Sequence, residues 1–467
     1  VSSLQPIPLW SVEHHEISDA APLAQVRRGL LGLYPCPALF ETGAGFLPVD
    51  GNQTTFMIDL LLELKLINDT WHISTGAPFQ WAQAACEQLL NNSQASLCER
   101  LRRVTQTLAL PEGFPLVLAL GYSAARFVEN LPEIAIEPDV PEVVVRVYRH
   151  VVRYEAPEGP ARIDVLNTGD NAAAQLDALF AVLRNPPVTA PVARFGTEVA
   201  VIEDVTDRED FCAAVLRAKE YIRAGDIYQV QLCRRAVCSA TIAPVDLYER
   251  LATVNPAPYM YYLDLADLHV VSSSPELMIR LQDGVAQVRP IAGTMSREDQ
   301  RGSPLDKIPK EAAEHLMLVD LARNDLARCA VPGGVQVSSF MQQDTYGSLL
   351  HLVSTVETKV REQCDVWDLI VANFPAGTMT GAPKVRAMEI IAELEGTARG
   401  LYTGCVGYIT GANSAVLALT IRTIVGNAGR YVLQSAAGVV ADSEAEDEWN
   451  EAGAKIKSFS RAMGACA

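Results

Sequence analysis

The stretch PYMYYLDLADLHVVSSSPELMIRLQDGVAQVRPIAG, residues 258–293, decides the fold. It divides into four strand-like runs, PYMYYLDL, LHVVSSS, ELMIRLQ and VAQVRPIAG, rich in β-branched and aromatic residues. Turn residues separate the runs, most plainly at Gln282-Asp283-Gly284, where an Asp-Gly pair suits the positive φ of a two-residue hairpin loop. Connections this short imply antiparallel neighbours, because a parallel partner needs a crossover of about a dozen residues or more.

Further strand-like runs lie on both sides: TTFMIDLLLELKL (54–66), VVVRVYRHVVRYEA (143–156), IYQVQLCRRAVCSA (227–240), GCVGYIT (404–410), AVLALTIRTIV (415–425) and RYVLQSAAGVV (430–440). Helical patterning covers much of 81–108 and returns after Thr206, where Thr206 and Glu209 suit a capping box and Gly225 a stop. Helices are also expected over 310–328 and 365–373. Another lies in TGAPKVRAMEIIAELEG, with Thr380 near its cap, Pro383 in its first turn and Gly396 at its end; a last helix closes the chain. Runs of strands and runs of helices without βαβ alternation predict an α+β fold, antiparallel β-sheets packed as a sandwich with helices outside.

A chain of 467 residues, 49% hydrophobic and 20% charged, is long enough for two domains. The proline-rich RNPPVTAPVARFG (184–196) marks the expected boundary: an N-terminal domain over 1–185, a linker over 186–205 and a second domain over 206–467. A net charge of −18 argues against nucleic acid and anionic membranes as partners. A small anion still binds such a protein where local Arg, Lys or a metal cancels the field. Ten cysteines without a C-x-x-C pair, no apolar run of membrane length and no signal-like start lead us to expect a cytoplasmic protein with reduced thiols.

Two acidic segments repeat one spacing. KEAAEHLMLVDLARND (310–325) carries Glu311 and Glu314; SEAEDEWNEAGAK (443–455) carries Glu448 and Glu451. Residues three apart share a helix face, so each pair presents two carboxylates together. Either these are two solvated faces, or the pairs meet and hold a cation such as Mg²⁺, which takes one or two carboxylates, waters and an anionic ligand. Small-residue turns at PIAGT (290–294), FPAGTMTGAPK (374–384) and SAAG (435–438) let backbone amides approach an anion. His351 lies in an apolar run, where a core role is the ordinary one. Glu276 opens a strand, as a turn carboxylate or a general acid. Arg422 lies in an apolar run and needs an anionic partner. Lys455, four residues after Glu451, suits a simple i,i+4 pair.

In order along the chain, AGDIYQVQLCRR, NPAPYMYYL, SSPE, RPIAGT, EHLMLVDLARNDLAR, HLVSTVE, FPAGTMTGAPKVRAMEII, GYI, IRT and GVVADSEAEDEWNEA resemble the chorismate-utilising enzyme family. The likeness is nearly unbroken from about 207 to 457 and weaker before it, chiefly at PALFETG and GYSAARFVENLP. It implies chorismate as substrate and Mg²⁺ as cofactor. Glu314 and Glu451 match the family's metal positions, supported through water by Glu311 and Glu448. Gly293 and Thr294 match substrate-contacting backbone, Tyr402 and Arg422 the groups that hold a substrate carboxylate, and Ala437 and Gly438 the amide nest around it. Lys455 lies near the metal-bound carboxylate. Glu276 matches the acid that helps the ring hydroxyl leave, with His351 and Thr378 around the hydroxyl and the later pyruvate loss.

Water-adding members of the family have a Lys base where this chain has Gln229, so the resemblance implies amination by ammonia. Ala292 within PIAGT favours the members that form anthranilate. TMTGAPK and Thr420 lean toward those that form 4-amino-4-deoxychorismate for 4-aminobenzoate and folate, and that alternative stays open. A separate glutamine amidotransferase subunit is implied as the ammonia source. LFET with Thr42, and Pro258, Tyr259 and Met260, match the family's tryptophan feedback pocket, which would make residues 1–185 an amino-acid-binding regulatory region. A non-catalytic sensor of chorismate or an amino acid is the remaining alternative.

Overall fold

The computed structural model describes residues 10–46, 53–131, 133–170, 172–187, 200–296, 304–346 and 349–464. Every strand pairing among them that follows is antiparallel. The opening stretch forms two hairpins: Tyr259–Asp264 with His269–Ser274, and Leu277–Gln282 with Val285–Val288. Asp283 and Gly284 turn the second at φ 51° and 75°, as the Asp-Gly signal predicts. The hairpins do not pair with each other. His269–Ser274 continues onto Thr423–Asn427, and Leu277–Gln282 onto Ala415–Leu419. The chain therefore changes sheets at Pro275 and Glu276, which puts Glu276 at a buried corner.

The first sheet runs from Ser11–Ile17 through Ala161–Asn167, Val143–Tyr154, Thr54–Ile67, Ala38–Glu41, Tyr259–Asp264, His269–Ser274, Thr423–Asn427 and Arg430–Val439 to Gln229–Ser239. The second leaves Val143–Tyr154 through Leu116–Leu120, Cys405–Ile409, Ala415–Leu419, Leu277–Gln282 and Val285–Val288 to Leu349–Lys359 and Gln336–Tyr346. Period-two alternation gives the first sheet two apolar faces. Tyr259, Tyr261 and Leu263 enter a core shared with Leu118, Leu277 and Leu417 of the second sheet. Met260 and Tyr262 enter a core closed by helices Leu23–Leu33, Ala173–Arg184 and Pro244–Val254.

Residues on either side of the expected boundary share these sheets: Ala38–Glu41 pairs with Tyr259–Asp264, and Leu116–Leu120 with Cys405–Ile409. Residues 188–199 of the expected linker lie outside the described residues. Its end is not free chain, because Val201–Asp204 pairs with Gln229–Ser239. The expected Thr206 cap is also corrected. Asp207 caps helix Arg208–Ala224, accepting the N–H groups of Glu209 (2.7 Å) and Asp210 (3.2 Å). The Thr206 hydroxyl instead accepts the Arg235 N–H (2.9 Å). Gly225, at φ 83°, ends that helix as expected.

Candidate active site

Helix Pro309–Ala327 buries His315, Leu318, Val319, Ala322 and Leu326 and lies against strands Ile291–Ser296 and Leu349–Lys359. His315 Nε2 is 2.7 Å from the Ser354 hydroxyl, which pins the helix to the strand that carries His351. Helix Ala445–Lys457 packs on strand Arg430–Val439. This arrangement brings the two glutamate pairs into one electrostatic field. Burial pushes the Glu314 carboxyl up from its ordinary range, and Glu311 and Glu451 push it further. Burial does the same to Glu311 and Glu448, again with Glu451 adding to it. Carboxylates that raise one another's affinity for protons equally favour a cation. Among the described residues no three His, Cys, Asp or Glu side chains form a ready-made cage. The donor set, hard carboxylate oxygens, fits the chemistry of Mg²⁺.

Gln229 is fully buried at the floor of this field. Its Nε2 donates to Glu314 Oε1 (3.0 Å), and its Oε1 has no hydrogen-bond partner among the described residues. Gly438 lies beside it, and a Cβ there would lie 2.7 Å from Gln229 Nε2 and 3.5 Å from Glu314 Oε1, so any side chain would displace the Gln229 amide. Ala437 is buried next to Gly438 on the strand that pairs with Gln229–Ser239. Gly293, at φ 66°, sits at a bulge where a Cβ would meet Glu311 Oε2 at 2.9 Å. Thr294 stands opposite His351 in the same ladder.

His351 Nδ1 donates to the Gly293 carbonyl at 3.0 Å, which fixes the tautomer and leaves Nε2 as the basic nitrogen. Burial, with Arg422 and Lys455 nearby, lowers the imidazole to about 4, so the ring is neutral in use. Glu276 is 5% exposed, and the Thr378 hydroxyl donates to its Oε1 at 2.8 Å. Burial pushes this carboxyl up to about 8, with the Thr378 bond pulling the other way. A carboxylic acid held protonated near neutrality is what a leaving hydroxyl needs. Leu318, Leu321, Asp325 and Gly377 line the cleft beside the pair.

Two cations lie near the carboxylates and His351. Arg422, at φ 49°, accepts the Ser273 N–H at its carbonyl (3.0 Å), while its guanidinium makes no hydrogen bond or ion pair among the described residues. Burial lowers its pKa while Tyr402 and Glu451 raise it. Tyr402 is 5% exposed beside it. An unpaired, desolvated guanidinium is a place for an anionic ligand. Lys455 donates to the Ala436 carbonyl and to Glu451 Oε1, both at 2.8 Å. The simple i,i+4 pairing therefore holds and also ties Glu451 to the small-residue strand. Asp320 pairs with Arg323, and Asp325 with Lys384 (both 2.8 Å), so neither joins the glutamates.

A second cleft lies between the two halves of the sequence. Phe40, Glu41, Thr42, Pro258, Tyr259 and Met260 line it, with Arg280 and Tyr408 across from them. All four residues expected to form an amino-acid pocket thus come together, away from the glutamates. Sequence reasoning missed Arg399 and Glu395, a buried ion pair (2.6 Å) beneath Tyr402. Their signal, Glu and Arg four apart at a helix end, is common on exposed helices and carries no hint of burial.

A family profile described as chorismate binding enzyme matches residues 64–461. Anthranilate synthase component 1 of Aquifex aeolicus (strain VF5) is 47% identical over 262 residues, 55% of this chain and 53% of that one, so the chain spans about half of that relative's length. Aminodeoxychorismate synthase component 1 of Bacillus subtilis (strain 168) is 37% identical over 357 residues, 74% of this chain and 76% of that one. The crystal structure of anthranilate synthase component I from Streptococcus pneumoniae TIGR4 superposes with a TM-score of 0.71 at 28% identity, covering 88% of this chain and 92% of that one. With the motifs in order, the antiparallel α+β fold shared and most of the length matched, the chain belongs to the chorismate-binding enzyme family.

Proposed function

We propose that this protein aminates chorismate with ammonia and then eliminates pyruvate, giving anthranilate. The observation that carries the amination is Gln229: a buried amide, not an ionisable base, stands where water-adding relatives have Lys. Ammonia brings its own basicity, and the Gln229 Oε1 acceptor can orient one of its N–H groups. Arg422 and Tyr402 hold a substrate carboxylate. Glu276 donates its proton to the departing ring hydroxyl, oriented by Thr378. His351, neutral and held through Nδ1, accepts a proton at Nε2 as the ring becomes aromatic. Glu314 and Glu451, with Glu311 and Glu448 behind them, would hold Mg²⁺; bound there, it would neutralise carboxylate charge that this acidic protein otherwise repels.

Ammonia is supplied by a glutamine amidotransferase partner in the cytoplasm. "Component 1" in the names of the Aquifex and Bacillus relatives supports a partnered subunit. The second reading is formation of 4-amino-4-deoxychorismate, favoured by the Bacillus relative's name. The cleft lined by Thr42, Pro258, Tyr259 and Met260 is our site for a tryptophan effector. Chorismate, ammonium salt and Mg²⁺ at mildly alkaline pH test the reading directly. Anthranilate is the expected product, 4-amino-4-deoxychorismate supports the second reading, and intact chorismate overturns both.

A further inference from the structure

We propose that Arg399, paired with Glu395, is a positioning residue that sets Thr378, Tyr402 and the Gln229–Gly438 strand pair relative to one another. The inference rests on the functional reading above. Arg399 is 2% exposed; its carbonyl accepts the Tyr402 N–H at 3.0 Å, and its guanidinium has no hydrogen bond to a side chain assigned to substrate among the described residues. Its N–H groups are nevertheless all engaged. Nε and Nη2 donate to Glu395 at 2.8 and 2.6 Å, and Nη2 also donates to the Gln231 carbonyl at 2.7 Å. Nη1 donates to the Met379 carbonyl at 3.0 Å and to the Thr403 hydroxyl at 3.3 Å.

Each acceptor lies beside a residue of the site. Met379 follows Thr378. Thr403 follows Tyr402, and its hydroxyl passes the contact on by donating to the Tyr402 carbonyl at 2.6 Å. Gln231 is two residues from Gln229 and stands opposite Gly438 in the ladder. Glu395 Oε1 also accepts the Cys233 N–H at 2.8 Å, opposite Ala436. Three segments distant in sequence are thus referenced to one planar cation.

A second observation points the same way. Thr403 is held at φ 60°, a left-handed conformation that is costly for a β-branched residue. It persists only where its surroundings over-determine it. Arg399 holds its hydroxyl, and the Thr420 carbonyl holds its N–H at 2.8 Å. A lysine at 399 keeps the charge opposite Glu395 but has at most three donors and no planar fork, so it cannot serve all these acceptors at once.

The test compares Arg399→Lys with wild type and with Arg146→Lys, which weakens a different buried Arg–Glu pair, with Glu63. Folded fraction is measured by near-ultraviolet circular dichroism, and kcat and KM for chorismate with ammonium across pH. Arg399→Lys is expected to lower kcat per folded enzyme roughly 10- to 100-fold. It should also move the alkaline fall in rate to higher pH, as Thr378 loses its hold on Glu276, while Asp325 in the same cleft stays paired with Lys384. Arg146→Lys should lower Tm only. Should Arg399→Lys not fold, Thr403→Ala is expected to raise KM several-fold, and Thr403→Ser to restore it. A lowered Tm with unchanged kcat, KM and pH profile per folded enzyme, or an unchanged KM in Thr403→Ala, overturns the inference alone. Absence of chorismate turnover by wild type overturns the functional reading and the inference with it.

Discussion

At the scale of single residues, Glu276, the proposed general acid, is expected to set the pH behaviour. Its carboxyl, raised from 4.5 to about 8 by burial, acts only when protonated. The rate per free ammonia should therefore fall as pH rises through about 8. Thr378→Val removes the bond that lowers this pKa, so the fall should move to higher pH in a kcat/KM profile. The same burial has a stability cost. A carboxyl whose folded pKa lies above its unfolded value contributes stability below the unfolded pKa and loses it as pH rises through the folded one. Glu276→Gln should be more stable than wild type by about 3–5 kcal/mol above pH 8, and no more than slightly different near pH 4, in parallel urea titrations. Its kcat should drop roughly 10²- to 10⁴-fold. Equal stabilities at both pH values would contradict the buried-acid assignment.

At the scale of elements, two helices bring four carboxylates together at a cost in repulsion. Glu314→Gln should raise Tm without Mg²⁺, because burial, Glu311 and Glu451 all disfavour its charge. The same substitution should abolish Mg²⁺-dependent turnover. A lower Tm, or unchanged kinetics, would contradict a cation site between helices Pro309–Ala327 and Ala445–Lys457. Strand and helix identities were largely legible, since period-two runs and an Asp-Gly turn report on local backbone. The Glu-x-x-Glu spacing showed that each pair shares a face but not that the pairs face each other; only tertiary packing adds that. The Thr206 cap misled because Asp207 and Thr206 compete for one role, and the strand bearing Arg235 takes the threonine hydroxyl. Arg399 was illegible for a like reason, its acceptors coming from three separate segments. At the second cleft, calorimetry should show tryptophan binding that Thr42 and Met260 variants weaken; no heat with wild type would leave the cleft without that ligand.

At the scale of the whole molecule, the halves of the chain complete each other's sheets. Composition shows a proline-rich boundary but not that Ala38–Glu41 and Leu116–Leu120 each join a strand of the N-terminal half to one from beyond it. A fragment beginning at residue 206 should lose cooperative unfolding, because removing those strands exposes open edges and apolar faces. A sharp two-state transition of that fragment would contradict this. In the proposed function, the glutamates, the Arg422 guanidinium and the protonated Glu276 would receive a dianionic ring that loses a hydroxyl. Gln229 points to ammonia as what replaces it. The most direct test is the product formed by the purified protein from chorismate, ammonium and Mg²⁺, identified by mass and fluorescence. The account predicts anthranilate with release of one pyruvate; a hydroxylated product such as isochorismate would contradict its central claim.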